Sequence, residues 1–265
     1  MTAELSVRTW DDQRGWVRLV RFAEQAVGIT IGVMLANDNF KFFALSYLND
    51  WSNDDKAFVD GLLPGVREED RLKSLLDAAN YYRVSRGFPT LKDKPESEQH
   101  KRFKFPLDEL DKVRTVTLQN VDEVVCKLAK VFKTEYGDNL VAAASKFLWL
   151  RHQSPVVIYD GLAFGSIKKL CGKPLVERDY PPYRQQWQLQ FTEHEDQIRA
   201  ACTELVEVKS WSLARLVCDD RIKELVSKLW FRERVFDKYL WWNEASTLWS
   251  EGTHALERSG SLSSV

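Results

Sequence analysis

Apolar residues recur at three- and four-residue steps along most of the chain. The runs RLVRFAEQAV, RLKSLLDAANYYRVS, VDEVVCKLAKVFKTEY, RIKELVSKLW and RERVFDKYLWW all carry this helical period. Alternating patterns long enough for a sheet are scarce. AVGITIGVML fits a strand pair or a buried helix, and PVVIY is too short to decide. The expected class is mainly α, a helical fold in two parts with little or no sheet.

Polar breaks rich in proline divide the pattern. RGFPTLKDKPESEQHKRFKFPLDEL, with Pro89, Pro95 and Pro106, predicts a basic linker or loop over residues 91–106. It separates an N-terminal helical part, 1–90, from a second helical part, 107–250. Lys92, Lys94, Lys101, Arg102 and Lys104 make it the densest basic segment, as a solvated linker or a loop contacting phosphate. A second break, CGKPLVERDYPPYRQQW, places Pro181 and Pro182 at the opening of another helix. Beyond Trp249 the period fades into Ser and Gly, so 251–265 reads as a flexible tail.

Composition excludes several classes. A chain of 265 residues can bury a full core without a metal or disulfide staple. Its 44% hydrophobic and 29% charged residues are ordinary for a globular protein and argue against disorder. No apolar run reaches the ~18 residues of a membrane helix. The segment MTAELSVRTWDDQRGW lacks a signal-peptide layout, so a cytoplasmic location is expected. Cys126, Cys171, Cys202 and Cys218 are widely spaced and read as reduced, mostly buried thiols. His100, His152, His194 and His254 have no metal-ligand spacing, and neither metal nor other cofactor is expected. With a net charge of −1, any nucleic-acid contact has to come from a local patch. Ten tryptophans serve either as core filler or as pocket walls for a flat ligand.

The candidate chemistry lies in NLVAAASKFLWLRHQSPVVIYDGLAFGSI. Between Leu140 and Leu150 only Ser145 and Lys146 are polar, so a helix here is covered on nearly every face. Lys146 either snorkels to the surface or points into a closed pocket. In a pocket its amine loses hydration, which favours the neutral form that attack on an electrophilic sugar or carbonyl carbon requires. Asp160 follows PVVIY and precedes GLAFGSIKKL, where it is suited to cap a helix N-terminus. An ionised cap carboxylate at the mouth of a pocket also stabilises a nearby cation. Asp219 and Asp220 offer an acid pair or metal handle but read better as a helix-start pair, and Asn37, Asp38 and Asn39 could read a base but read better as caps.

This lysine, a short turn with Pro155, a valine-rich run and then Asp160 resemble the nucleophile-to-aspartate segment of helix-hairpin-helix DNA glycosylases. The branch most similar is that of 8-oxoguanine DNA glycosylase. WFRERVFDKYLWW, Trp230 to Trp242, resembles the closing helix of bacterial proteins of that group. The family's hairpin signature before the lysine is absent; YGDNLVAAAS stands in its place, with Asp138 or Asn139 expected to cap the Lys146 helix. The resemblance implies excision of a flipped-out damaged or modified base from DNA. Asp160 then stabilises the oxocarbenium-like state and Lys146 serves as a Schiff-base nucleophile. It also implies a substrate pocket that draws on Trp149, Arg151, Tyr159, Arg234, Asp237 and Trp241. The tryptophan content suits a bulky base such as those of phage DNA, with a role in defence. Two other expectations stand beside it: a non-catalytic helical module binding nucleic acid or protein, and a Schiff-base enzyme acting on a small molecule. Lys146 discriminates, since burial beside Asp160 favours an enzyme and solvation favours the module.

Overall fold

The computed structural model of the chain describes residues 40–260, with side chains to residue 247. RLVRFAEQAV, AVGITIGVML, Asn37, Asp38, Asn39, Trp10 and Trp16 lie outside the described residues, as does the side chain of Trp249. The helices are α1 (Phe40–Asp50), α2 (Lys56–Gly61), α3 (Glu68–Tyr81), α4 (Lys104–Lys112), α5 (Val121–Tyr136) and α6 (Val141–His152). They continue as α7 (Gly161–Cys171), α8 (Tyr180–Thr203), α9 (Leu205–Val208), α10 (Asp219–Ser227) and α11 (Leu229–Gly260). No strand occurs among the described residues, and the fold is mainly α. None of these helices is long and apolar enough to cross a membrane.

Helix α6 is the centre of the core. Nine of its 12 residues are buried, as its nearly unbroken apolar sequence requires. Helices α5, α4 and α2 pack against it, and Trp230 of α11 meets Trp149 edge-on at 6.1 Å. On one flank Phe147 joins Phe88, Phe103 and Phe132, with neighbouring ring centroids 5.0–6.4 Å apart. Helix α11 crosses the molecule over α7, α1 and α8.

PVVIY forms neither strand nor helix. Val156, Val157, Ile158 and Tyr159 are buried and extended, and helix side chains satisfy their backbone. The Tyr180 hydroxyl accepts from Val157 N–H at 3.1 Å and donates to Val157 O at 2.8 Å. Tyr183 donates to Ile158 O at 3.1 Å, and Ser145 Oγ accepts from Tyr159 N–H at 2.9 Å. Side chains thus take the place that a neighbouring strand would fill for Val157 N–H and O, Ile158 O and Tyr159 N–H.

Residues 91–106, expected as a basic linker or loop, are exposed over 92–97 but anchored to the core beyond them, where Gln99, His100 and Phe103 are buried. Gln99 bonds to both backbone groups of Leu91 and to Lys94 O, and Phe103 is fully buried at the end of a 3₁₀ segment, Glu96–Phe103. Lys101 pairs with Glu98, and Lys104 with Glu68 and Asp108, so these cations are engaged locally. The described residues before and after this segment therefore belong to one compact unit. Helix α11 continues to Gly260, past the expected start of a tail at 251; Ala255, Leu256, Glu257 and Arg258 favour helix without any apolar period. The cysteines are free, but only Cys202 is buried; Cys126 and Cys218 are exposed because they sit on outer helix faces and ends rather than in the core.

Removing the ring at the centre of the phenylalanine cluster tests this packing. Phe147→Ala is expected to lose about 3–5 kcal/mol in urea unfolding, because the enclosed site cannot collapse fully around the void.

Candidate active site

Two consecutive elements set the position of Asp160. The extended PVVIY segment ends on it, and α7 begins immediately after it, with Asp160 Oδ1 accepting from Leu162 N–H at 3.0 Å as the N-cap. Its other oxygen, Oδ2, accepts from Lys146 Nζ at 3.0 Å. The lysine is enclosed, with 5% of its side chain exposed, whereas 32% of the aspartate side chain reaches solvent. Lys146 therefore does not snorkel.

The second acceptor for Lys146 is Tyr82 O, at 3.3 Å. Tyr82 caps the C-terminus of α3, where the last carbonyls have no partner within the helix and the macrodipole is negative. Arg83 turns the chain away with a left-handed φ of 57°, which ends the helix there. The ammonium thus meets a carboxylate and a helix C-terminus together.

Tyr82 also connects this pair to a second buried polar group. Its hydroxyl donates to Asp55 Oδ1 at 2.7 Å, and Tyr47 donates to Asp55 Oδ2 at 3.2 Å. Asp55 closes a wide π turn, Trp51–Asp55, inserted between α1 and α2. In a regular helix, positions eight apart diverge by about 80°, whereas seven apart nearly align. The wide turn absorbs one residue and brings Asp55 under Tyr47, into the core. Opposite lies Arg234 of α11, whose guanidinium is 4.0 Å from Asp55 and 2.8 Å from Asp237 Oδ2. Asp237 Oδ1 accepts from Trp187 Nε1 at 2.9 Å. The guanidinium also lies 5.1–5.9 Å from the ring centroids of Trp149, Tyr47 and Tyr82.

This group holds two cations, Lys146 and Arg234, against three carboxylates, Asp55, Asp160 and Asp237. Burial pushes the Asp160 carboxyl up, but the charge and hydrogen bond of Lys146, the Leu162 N–H and Arg234 outweigh it and hold it below its ordinary value. For Asp55 burial wins over Arg234 and the Tyr82 hydroxyl, and its pKa is raised. Burial likewise raises Asp237 to about 6 despite Arg234 and Trp187. Asp160 is the carboxylate that stays ionised.

A surface cavity of about 240 Å³ is lined by Arg83, Arg86, Arg178, Asp138, Tyr159 and the first turn of α6, with neither Lys146 nor Asp160 in its wall. The expected cap is absent: Leu140 occupies the N-cap position, Asp138 bonds to Asn139 N–H, and Asp138 also pairs with Arg178 at 3.1 Å. Asp138 is drawn to the neighbouring guanidinium instead of the helix. Arg83 and Arg86 form no salt bridge among the described residues and face this cavity.

The other expected site residues divide between core and rim. Trp149, expected as a stacking surface, is fully buried, with Arg234 and Trp230 over it. Arg151 donates to Leu62 O at 2.8 Å and joins α6 to the end of α2. Tyr159 presents its hydroxyl to Arg178 N–H at 2.8 Å and lines the cavity. Arg234 and Asp237 form the intrahelical pair that their spacing allowed, deep in the core, and Trp241, one turn on, is part-buried. Tyr47, Asp55, Tyr82 and Trp187 carried no sequence signal, because they come from three distant segments and meet only through the fold.

No known protein family, characterised sequence or solved structure matches this chain.

Two substitutions test the electrostatics. Lys146→Met is expected to cost about 2–3 kcal/mol of stability at neutral pH, below the ~3–5 of a fully buried pair because Asp160 keeps some hydration. Since the folded-state value of Asp160 is lowered, this contribution is complete above the ordinary carboxylate range and lost as pH falls through the folded value. Calorimetric unfolding at a series of pH values checks both. Glu233 is the opposite case: burial raises it to about 7, so stability falls as pH rises from about 4.5 to 7. Glu233→Gln is expected to match the parent near pH 4 and exceed it by on the order of 1–3 kcal/mol above pH 7.

Proposed function

We propose that the chain is a DNA glycosylase-like enzyme that excises a flipped-out damaged or modified base, with Asp160 and Lys146 as its reacting groups. One observation carries the reading: an enclosed lysine is bonded to a helix-capping carboxylate that stays ionised and is still reached by solvent. Residues fixed this way by two neighbouring elements are preorganised for a developing positive charge.

The reaction proceeds with a balanced proton. As the glycosidic C–N bond breaks, its electron pair leaves with the base, and the Lys146 ammonium donates a proton to that base. Asp160 remains ionised and stabilises the cationic sugar. The amine formed on Lys146 then attacks the anomeric carbon, and the sugar opens to the Schiff base as the C1′–O4′ bond breaks and the ring oxygen takes a proton from the lysine nitrogen. The proton transfer generates the nucleophile at the moment it is needed, so a lysine that is ion-paired at rest is compatible with this chemistry.

The cavity supports a polyanionic substrate. Arg83 and Arg86 and the uncapped first turn of α6 all favour a phosphate there, a local patch on a chain of net charge −1. A bulky base, such as the modified bases of phage DNA, is the substrate class we favour, with a defence role. The enclosure of Trp149 means that such a base stacks elsewhere in the site or displaces side chains as it enters.

Incubation with borohydride and oligonucleotides bearing a panel of damaged and hypermodified bases tests this. The expected result is base release, at least 100-fold slower in Asp160→Asn, and a covalent protein–DNA adduct that disappears in Lys146→Ala. Release without any adduct would assign simple hydrolysis directed by Asp160. Absence of release from every substrate would overturn the reading in favour of a non-catalytic binding module.

A further inference from the structure

We propose that Arg234 is a positioning residue for the Lys146–Asp160 pair and acts on it through Tyr82. This rests on the reading of that pair as the reacting groups for its consequence, though not for its geometry.

The guanidinium is fixed from several sides. Asp237 and Asp55 flank it, Trp187 fixes Asp237, and Tyr47, Tyr82 and Trp149 cover it. Tyr82 is the residue that faces both ways. Its hydroxyl is anchored on Asp55, its carbonyl is the second acceptor for Lys146, and both cations lie against its ring, Lys146 Nζ at 5.7 Å and Arg234 at 5.9 Å from the centroid. Moving Arg234 or Asp55 therefore moves the acceptor that aims the lysine. A buried ion pair is a poor source of net stability, because desolvation offsets the attraction, and an apolar cluster would fill this volume as well. Placing a permanent charge near Asp160 is what an apolar cluster would not do.

The consequence is electrostatic as well as mechanical. The groups facing Arg234 are Asp55, Asp237, Tyr47 and Tyr82; those acting on Asp160 are Lys146, Arg234, Asp237, Tyr159 and Tyr183; and Glu233 lies close enough to act on Asp237. When Asp237 is ionised, Arg234 is largely neutralised; when it is protonated, the Arg234 charge acts more strongly on the pair. Lys146 should therefore sense a titration that belongs to another helix.

The test reads the free protein, without substrate. In the full chain labelled with ¹⁵N-lysine, the Lys146 Nζ signal, assigned by its loss in Lys146→Arg, is followed between about pH 5 and 8. The expected result is a chemical-shift step with a midpoint near about 6, the Asp237 value. It should be abolished in Asp237→Asn and retained in Glu233→Gln. Asp237 also acts on Asp160 directly, so the step is expected to shrink in Arg234→Gln, and a step of unchanged size in that variant overturns the proposal. A flat wild-type signal, or a step that survives Asp237→Asn, overturns the proposal. Should Asp237→Asn fail to fold, the step in wild type and its persistence in Glu233→Gln decide the matter. A negative excision assay leaves this result standing, and a flat titration leaves the excision reading standing.

Discussion

An ammonium group on a helix enclosed from all sides must be matched, or the helix cannot sit where it does. Helix α6 carries nine buried residues, Lys146 among them, and no route to solvent for its side chain. The match comes from Asp160 on one side and the C-terminal carbonyl of α3 on the other. Three elements meet at this one charge: the C-terminus of α3, the end of PVVIY and the N-cap of α7.

The same constraint explains the side-chain hydrogen bonds on PVVIY. An extended segment beside a buried helix has peptide groups on two sides and no neighbouring strand, so Ser145, Tyr180 and Tyr183 supply the partners. Ser145 and Lys146, the only polar residues of the central run, thus hold the two ends of one device. One secures the backbone of Tyr159 and the other secures the carboxylate of Asp160.

Around Arg234 the fold solves a second charge problem by the same means. A guanidinium that never loses its proton is buried, and it is met by one carboxylate from its own helix, Asp237, and one from a segment far away in sequence, Asp55. The wide turn at Trp51–Asp55 is part of that solution, since with regular winding Asp55 would lie about 80° around the helix from Tyr47. With three carboxylates for two cations, the excess negative charge is taken up by a proton on Asp237 or Asp55 as pH falls, while Asp160 stays ionised. The group is therefore poised to accept one more positive charge at its only solvated member.

The helical class and the enclosure of α6 were legible because each rests on local pattern: apolar period specifies helix, and an unbroken apolar run specifies burial. Pro181 and Pro182 at the start of α8, and Asp219 and Asp220 at the start of α10, were legible for the same reason. Whether Lys146 reached solvent or a pocket stayed open in the sequence, and its bond to Asp160 appears only in the fold. The polar composition of residues 91–106 concealed their attachment, since the bonds of Gln99 and the burial of Phe103 depend on surfaces supplied from elsewhere. By itself the sequence determined that the chain is helical and that the run around Lys146 is enclosed. Only the tertiary structure decided that Tyr82, Asp55, Arg234 and Asp237 surround the Lys146–Asp160 contact, because side-chain convergence across distant helices is set by packing, and no local period encodes it.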